Sequence, residues 1–141
     1  MKTYQCTEAP LRLYGLNHIQ PDKGEYWRLT PEIIKLMPQL DHFGKRCTGA
    51  RLRFRTDASE VIIRYSLKTE VVDRAMALPA AAGVDVYIGA GEKSYFAGYV
   101  APAEYGYKDK IIEGKIRKKP VMETVTVNLP KMRSCHIWKL R

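Results

Sequence analysis

The chain has little cysteine. Cys6, Cys47 and Cys135 are the only three in 141 residues, an odd number with no CxxC spacing. Neither a disulfide framework nor a zinc site follows from that pattern, and free thiols are the expectation. Long apolar runs are missing as well: no stretch approaches the roughly 20 apolar residues of a membrane-spanning helix, and the opening MKTYQCTEAPLRLYG lacks the apolar core of a signal peptide. A mature exported protein reads the same way, so the compartment stays open. Histidine is scarce, and His18, His42 and His136 stand apart with no HExxH or other metal spacing. Ser59, Ser66, Ser94 and Ser134 include none on the strained, Gly-flanked turn where a hydrolytic nucleophile commonly sits. No catalytic residue, metal or cofactor is therefore assigned. With no repeat, low-complexity tract or Pro/Gly/Ser-rich linker, residues 1–141 read as one domain.

Hydrophobic residues at 45% and charged residues at 28% give the balance of a chain that folds around a core. The net charge of +9 is unevenly placed. Residues 1–107 hold 14 Lys/Arg against 12 Asp/Glu, whereas the last eleven hold Lys131, Arg133, Lys139 and Arg141 with no acid. Basicity concentrated near the end weakens a nucleic-acid reading, which needs a basic stripe over the domain. The run KDKIIEGKIRKK at 108–119 reads as an exposed hairpin loop with solvated lysines and no interleaved aromatic pair on which bases would stack.

Alternation of apolar and polar residues marks half-buried strands. Leu52 and Phe54 oppose Arg51, Arg53 and Arg55; Val61, Ile63, Tyr65 and Leu67 oppose Ile62, Arg64 and Ser66; Val84, Val86 and Ile88 oppose Asp85 and Tyr87. Val125, Val127 and Leu129 alternate with Thr124, Thr126 and Asn128, and the turn signal GAGE precedes a further strand in KSYFAGYVA. Shorter strand candidates are LRLYG at 11–15 and EYWRL at 25–29. One helix is predicted in PEIIKLMPQL, with Thr30 as N-cap, Pro31 at the first position and an apolar face of Ile33, Ile34 and Met37. The expected fold class is all-β: an antiparallel β-sandwich, jelly-roll-like, with one short helix.

If the strands at 51–55 and 61–67 pair, Arg51, Arg53, Arg55 and Arg64 form one basic stripe, and Asp85 and Tyr87 share its face. Guanidinium groups bind anions through bidentate hydrogen bonds and tyrosine stacks on sugar rings or bases, so this surface suits anionic or hydroxyl-rich ligands. The plainer reading is a solvated outer face balanced by Asp57, Glu60 and Glu70.

Three blocks resemble, in order, the N-terminal domain that precedes SGNH/GDSL-type hydrolase domains: KGEYWRLTPE at 23–32, TGARLRFRTDASEVIIRY at 48–65 and MALPAAAGVDVYIGAGEKSYFAGYVAP at 76–102. The family's Gly-Phe-Asp-Leu-Tyr stands here as Gly83, Val84, Asp85, Val86 and Tyr87. The resemblance implies a jelly-roll-like sandwich ahead of an α/β domain acting on esters such as acetylated carbohydrates. The Ser, Gly, Asn and His blocks of that second domain have no counterpart here. The chain is thus expected to be a non-catalytic accessory domain whose partner is a C-terminal SGNH hydrolase domain, with a glycan as ligand. A stand-alone carbohydrate-binding module and a basic nucleic-acid-binding β-domain are the alternatives.

After Pro130 the segment KMRSCHIWKLR breaks the alternation and departs from the family pattern. Adding one A to the opening A-run of a suitable back-translation turns it into the strand-like KNEVVSYMEIA. The expectation is a frameshifted fragment of a two-domain hydrolase whose fold ends near Pro130, leaving a bare sheet edge through which two copies pair.

Overall fold

A computed structural model describes residues 2–70, 72, 74–130 and the backbone of 135–140. The strands are β1 (Arg12–Tyr14), β2 (His18–Gln20), β3 (Glu25–Trp27), β4 (Arg51–Thr56), β5 (Glu60–Leu67), β6 (Val84–Ile88), β7 (Tyr95–Val100), β8 (Ile112–Arg117), β9 (Glu123–Asn128) and β10 (Cys135–Leu140). They form a five-stranded sheet in the order β1-β4-β9-β6-β7, a three-stranded sheet β10-β5-β8 and a small β2-β3 hairpin, with every ladder antiparallel. The architecture is an antiparallel β-sandwich.

The alternation predicts the core side of each strand. Leu52, Val84, Val86, Ile88, Val125 and Val127 of the larger sheet are buried with Val61, Ile63, Tyr65, Leu67, Ile112 and Ile116 of the smaller one. Neighbour relations are another matter. β4 and β5 do not pair; the turn at Asp57 to Ser59 is no hairpin but a passage from one sheet to the other. Pleating decides which side of a strand is apolar, and that side faces the core whichever strand lies alongside.

Three further differences have local causes. The stretch at 108–119 is no solvated loop: it contains β8, and Ile112 and Ile116 supply its buried face. Lys118 is held rather than solvated, its ammonium donating to the carbonyls of Ala58, Lys119 and Val121 and lying 3.5 Å from Glu123. The predicted helix begins as expected, with Ile33 N–H donating to Thr30 Oγ1 across 3.4 Å. It ends at Leu36 as α1 (Pro31–Leu36), and a 3-10 turn at Pro38 leads into α2 (Asp41–Gly44). Only Ile34 of its apolar face is buried, Ile33 and Met37 remaining exposed. A third helix, α3 (Leu78–Ala82), starts at the unpredicted Leu78-Pro79 step, where proline at the start of the helix has its φ already set.

Past Pro130 the backbone of Cys135–Leu140 runs as β10 beside β5, with Cys135 opposite Leu67 and a register shift between Ile137 and Lys139. It takes the edge of β5 that the sequence reading leaves bare. Backbone groups alone make a ladder, so an open edge accepts many sequences. The packing of Ile137 and Trp138 lies outside the described residues.

Two contacts close the sandwich. Fully buried Tyr65 places its hydroxyl 2.9 Å from the carbonyl oxygens of both Ala82 and Val100. Gly114 lets β8 approach β7: a Cβ there would stand 2.6 Å from a methyl of Val100. At the start of the β5–β6 connection, the Glu70 carboxylate accepts the N–H groups of Gly106, Tyr107 and Lys108 at 2.7 to 3.2 Å.

Replacing Tyr65 by Phe should lower stability by about 1–3 kcal/mol, since the one hydroxyl donor shared by two buried carbonyls is lost. A lower urea midpoint at unchanged slope would show it, and an unchanged midpoint would refute it. The Glu70 carboxyl is held below the usual carboxylate range, chiefly by the Gly106 N–H. Its contribution is present above the unfolded-state value and fades as pH falls through the folded one. The midpoint gap between wild type and Glu70→Gln should therefore be widest near neutrality and narrow in acid.

Candidate functional site

Register brings the polar residues of the larger sheet together on its outer face. One row across the strands reads Tyr14, Arg51, Asn128, Asp85, Tyr99; the next reads Arg12, Arg53, Thr126, Tyr87, Phe96. Adjacent strands lie about 4.8 Å apart, so Arg51 and Asp85, on either side of Asn128, are separated by about 10 Å. Of the residues predicted for binding, Asp85, Tyr87, Arg51 and Arg53 are thus brought onto one face. Arg64 is not. It lies on β5 in the other sheet, bonded to Glu113.

The expected acidic counterweights are also elsewhere. Glu60 pairs with Lys115 at 3.1 Å and Arg117 at 3.4 Å, and Glu70 holds the Gly106 turn. Among the described residues, the side chains of Arg12, Arg51, Arg53, Arg55 and Asp85 have no ion-pair or hydrogen-bond partner.

A cleft of about 500 Å³ opens at the end of this face, lined by Gly49, Ala50, Pro79, Ala80, Gly83, Asp85, Tyr87, Tyr99, Asn128 and Leu129. Its walls come from the Thr48-Gly49-Ala50 turn before β4, from α3 and from the Gly83-to-Tyr87 segment. Gly83 is required sterically. A Cβ at that position would stand 2.4 Å from the Pro79 carbonyl oxygen and 3.1 Å from Ala101 Cβ, so only hydrogen fits between α3 and the chain just past β7. A second hollow of about 320 Å³ adjoins it, between Arg51, Arg53, Tyr87, Thr126 and the Gly89 to Gly91 turn. Tyr87 meets Phe96 edge-on at 5.6 Å, while Tyr99 is 55% exposed.

Sequence reasoning missed Asn128 and Tyr99 as partners of Asp85. Alternation did place Asn128 on the outer side of its strand, but the register across β9 that aligns them is long-range. It also missed the dyad on the β2-β3 hairpin, where His18 Nε2 lies 2.7 Å from Glu25 Oε2 and the imidazole stacks on Trp27 at 4.6 Å. Two-residue alternation in so short a hairpin is too brief to signal it.

Of the candidate nucleophiles, Ser94 lines the second hollow of this face. Cys6 and Cys47 are buried beside Tyr26, and burial pushes the Cys6 thiol above its ordinary range. Ser66 is buried, and Ser94 Oγ donates to the Gly91 carbonyl at 2.9 Å. Ser134 and the side chains of Cys135 and His136 lie outside the described residues. Among those described, no group of three or more His, Cys, Asp or Glu side chains is arranged to hold a metal.

Fold and site together define a β-sandwich domain whose motif strand lines an open, polar cleft. The family model for GxDLY, the N-terminus of esterases of the SGNH hydrolase type, matches residues 3–138, and the chain belongs to that family. Two solved structures share the fold. One is a protein assigned as a GDSL-like lipase from Bacteroides ovatus ATCC 8483, with a TM-score of 0.80 and 18% identity over 99% of this chain and 40% of that one. The other is the salicylyl-acyltransferase SsfX3 from a tetracycline biosynthetic pathway, with a TM-score of 0.71 and 20% identity over 100% of this chain and 39% of that one. The chain spans about two fifths of the length of each. No curated protein matches the sequence.

Gly83→Ala should destabilise the domain by about 1–3 kcal/mol, because the added methyl must displace α3 or the chain at Ala101. A thermal midpoint equal to that of wild type would contradict the contact.

Proposed function

We propose that the chain acts as a non-catalytic accessory domain of an SGNH-type ester hydrolase, with ester cleavage carried out by a catalytic domain joined after it. The observation that carries this reading is the meeting of two of the three family-like blocks on one cleft. Gly49 and Ala50 of the block at 48–65 line the same opening as Pro79, Ala80, Gly83, Asp85 and Tyr87 of the block at 76–102. The His18–Glu25 pair supplies a base and its orienting carboxylate, but acyl transfer also needs a nucleophile within hydrogen-bond reach of the histidine. Here Nε2 is held by Glu25 and the ring lies against Trp27, and among the described residues no hydroxyl or thiol hydrogen-bonds to the imidazole. In this reading the cleft works as a margin of the substrate entrance, not as the reacting centre.

The purified chain should hydrolyse p-nitrophenyl acetate no faster than buffer alone. Turnover that is abolished by replacing any one of its serines with alanine would overturn the accessory role.

A further inference from the structure

The two outer faces of the sandwich treat their charges in opposite ways. On the smaller sheet, cations meet carboxylates across β5 and β8: Arg64 with Glu113, and Lys115 and Arg117 with Glu60. On the larger sheet, Arg51, Arg53 and Arg55 stand along β4 at intervals of about 6.5 Å, with no partner among the described residues. Arg12 sits directly opposite Arg53, a like-charge arrangement that destabilises a sheet. An external anion would relieve it. Two strands away Asp85, also without a partner, faces the cleft with Asn128 beside it and the exposed ring of Tyr99 in the next strand.

These halves call for different chemistry on one ligand. Arginines laid along a strand take carboxylate or sulfate groups. An unpaired carboxylate repels such groups and instead accepts hydrogen bonds from hydroxyls, while an exposed tyrosine offers an apolar face to a sugar ring. A nucleic acid satisfies the first half but sets its phosphates against Asp85.

We propose that the outer face of the larger sheet binds an acidic saccharide, its hydroxyls at Asp85 and Asn128 and its anionic group at Arg51 and Arg53. The inference rests on this face alone and is separable from the accessory role, since hydrolysis and binding are measured independently.

Titration calorimetry of the whole chain with polygalacturonate, neutral galactan and a single-stranded thymidine oligonucleotide tests it. Polygalacturonate should bind at least about tenfold more tightly than either of the others. Arg51→Gln with Arg53→Gln should remove that preference without lowering the thermal midpoint, whereas Lys115→Gln on the opposite face should leave binding unchanged. Asp85→Asn gives the sharper discrimination: hydroxyl recognition predicts weaker polygalacturonate binding, and bare charge attraction predicts stronger. Stronger binding by that variant would overturn the proposal. So would equal affinity for galactan, tighter binding of the oligonucleotide, or no binding of polygalacturonate at millimolar concentration.

Discussion

A phenol hydroxyl buried away from water must find a partner within the protein, and the whole sandwich is organised around where Tyr65 finds its own. Its two neighbours are the carbonyls that close α3 and β7. The smaller sheet is thereby tied to the end of the helix that immediately precedes the Gly83 motif. Gly83, which joins α3 to β6, packs so close to Pro79 and Ala101 that not even a methyl group fits there. The cleft wall made by Pro79 and Ala80 is therefore positioned by a hydrogen bond on the far side of the core. A binding surface built this way inherits the rigidity of the packed interior.

The same crowding recurs where the sheets approach one another. Gly114 on β8 meets Val100 on β7, and Gly98, with φ of 143°, passes over Ile116 where the β6–β7 register shifts. The shift lets Phe96 and Tyr99 lie opposite Tyr87 and Asp85, although the odd count between them would place one of the two on the wrong face of a regular strand. The aromatic rim of the cleft thus depends on an irregularity in the ladder.

Charge is partitioned with equal consequence. Glu60 sits on the smaller sheet and Glu70 in the connection, so two of the carboxylates that balance the arginines on paper are engaged by other groups in space. What the net charge of +9 conceals is a face whose described cations are paired with carboxylates and another whose arginines are not.

Much of this was legible in the residues themselves. Alternation named Leu52, Val61, Ile63, Tyr65, Leu67, Val84, Val86, Ile88, Val125 and Val127 as the core side, and all are buried. The motif from Gly83 to Tyr87 pointed to the family. Alternation is a local property: successive side chains of a pleated strand must point to opposite sides, so the pattern is written into any few consecutive residues. Which strand lies beside which is decided by backbone hydrogen bonds, and these carry no side-chain identity. For that reason Arg64, which shares its pattern with Arg51 and Arg53, fell on the opposite sheet, and only the tertiary structure brought Asn128 and Tyr99 to Asp85.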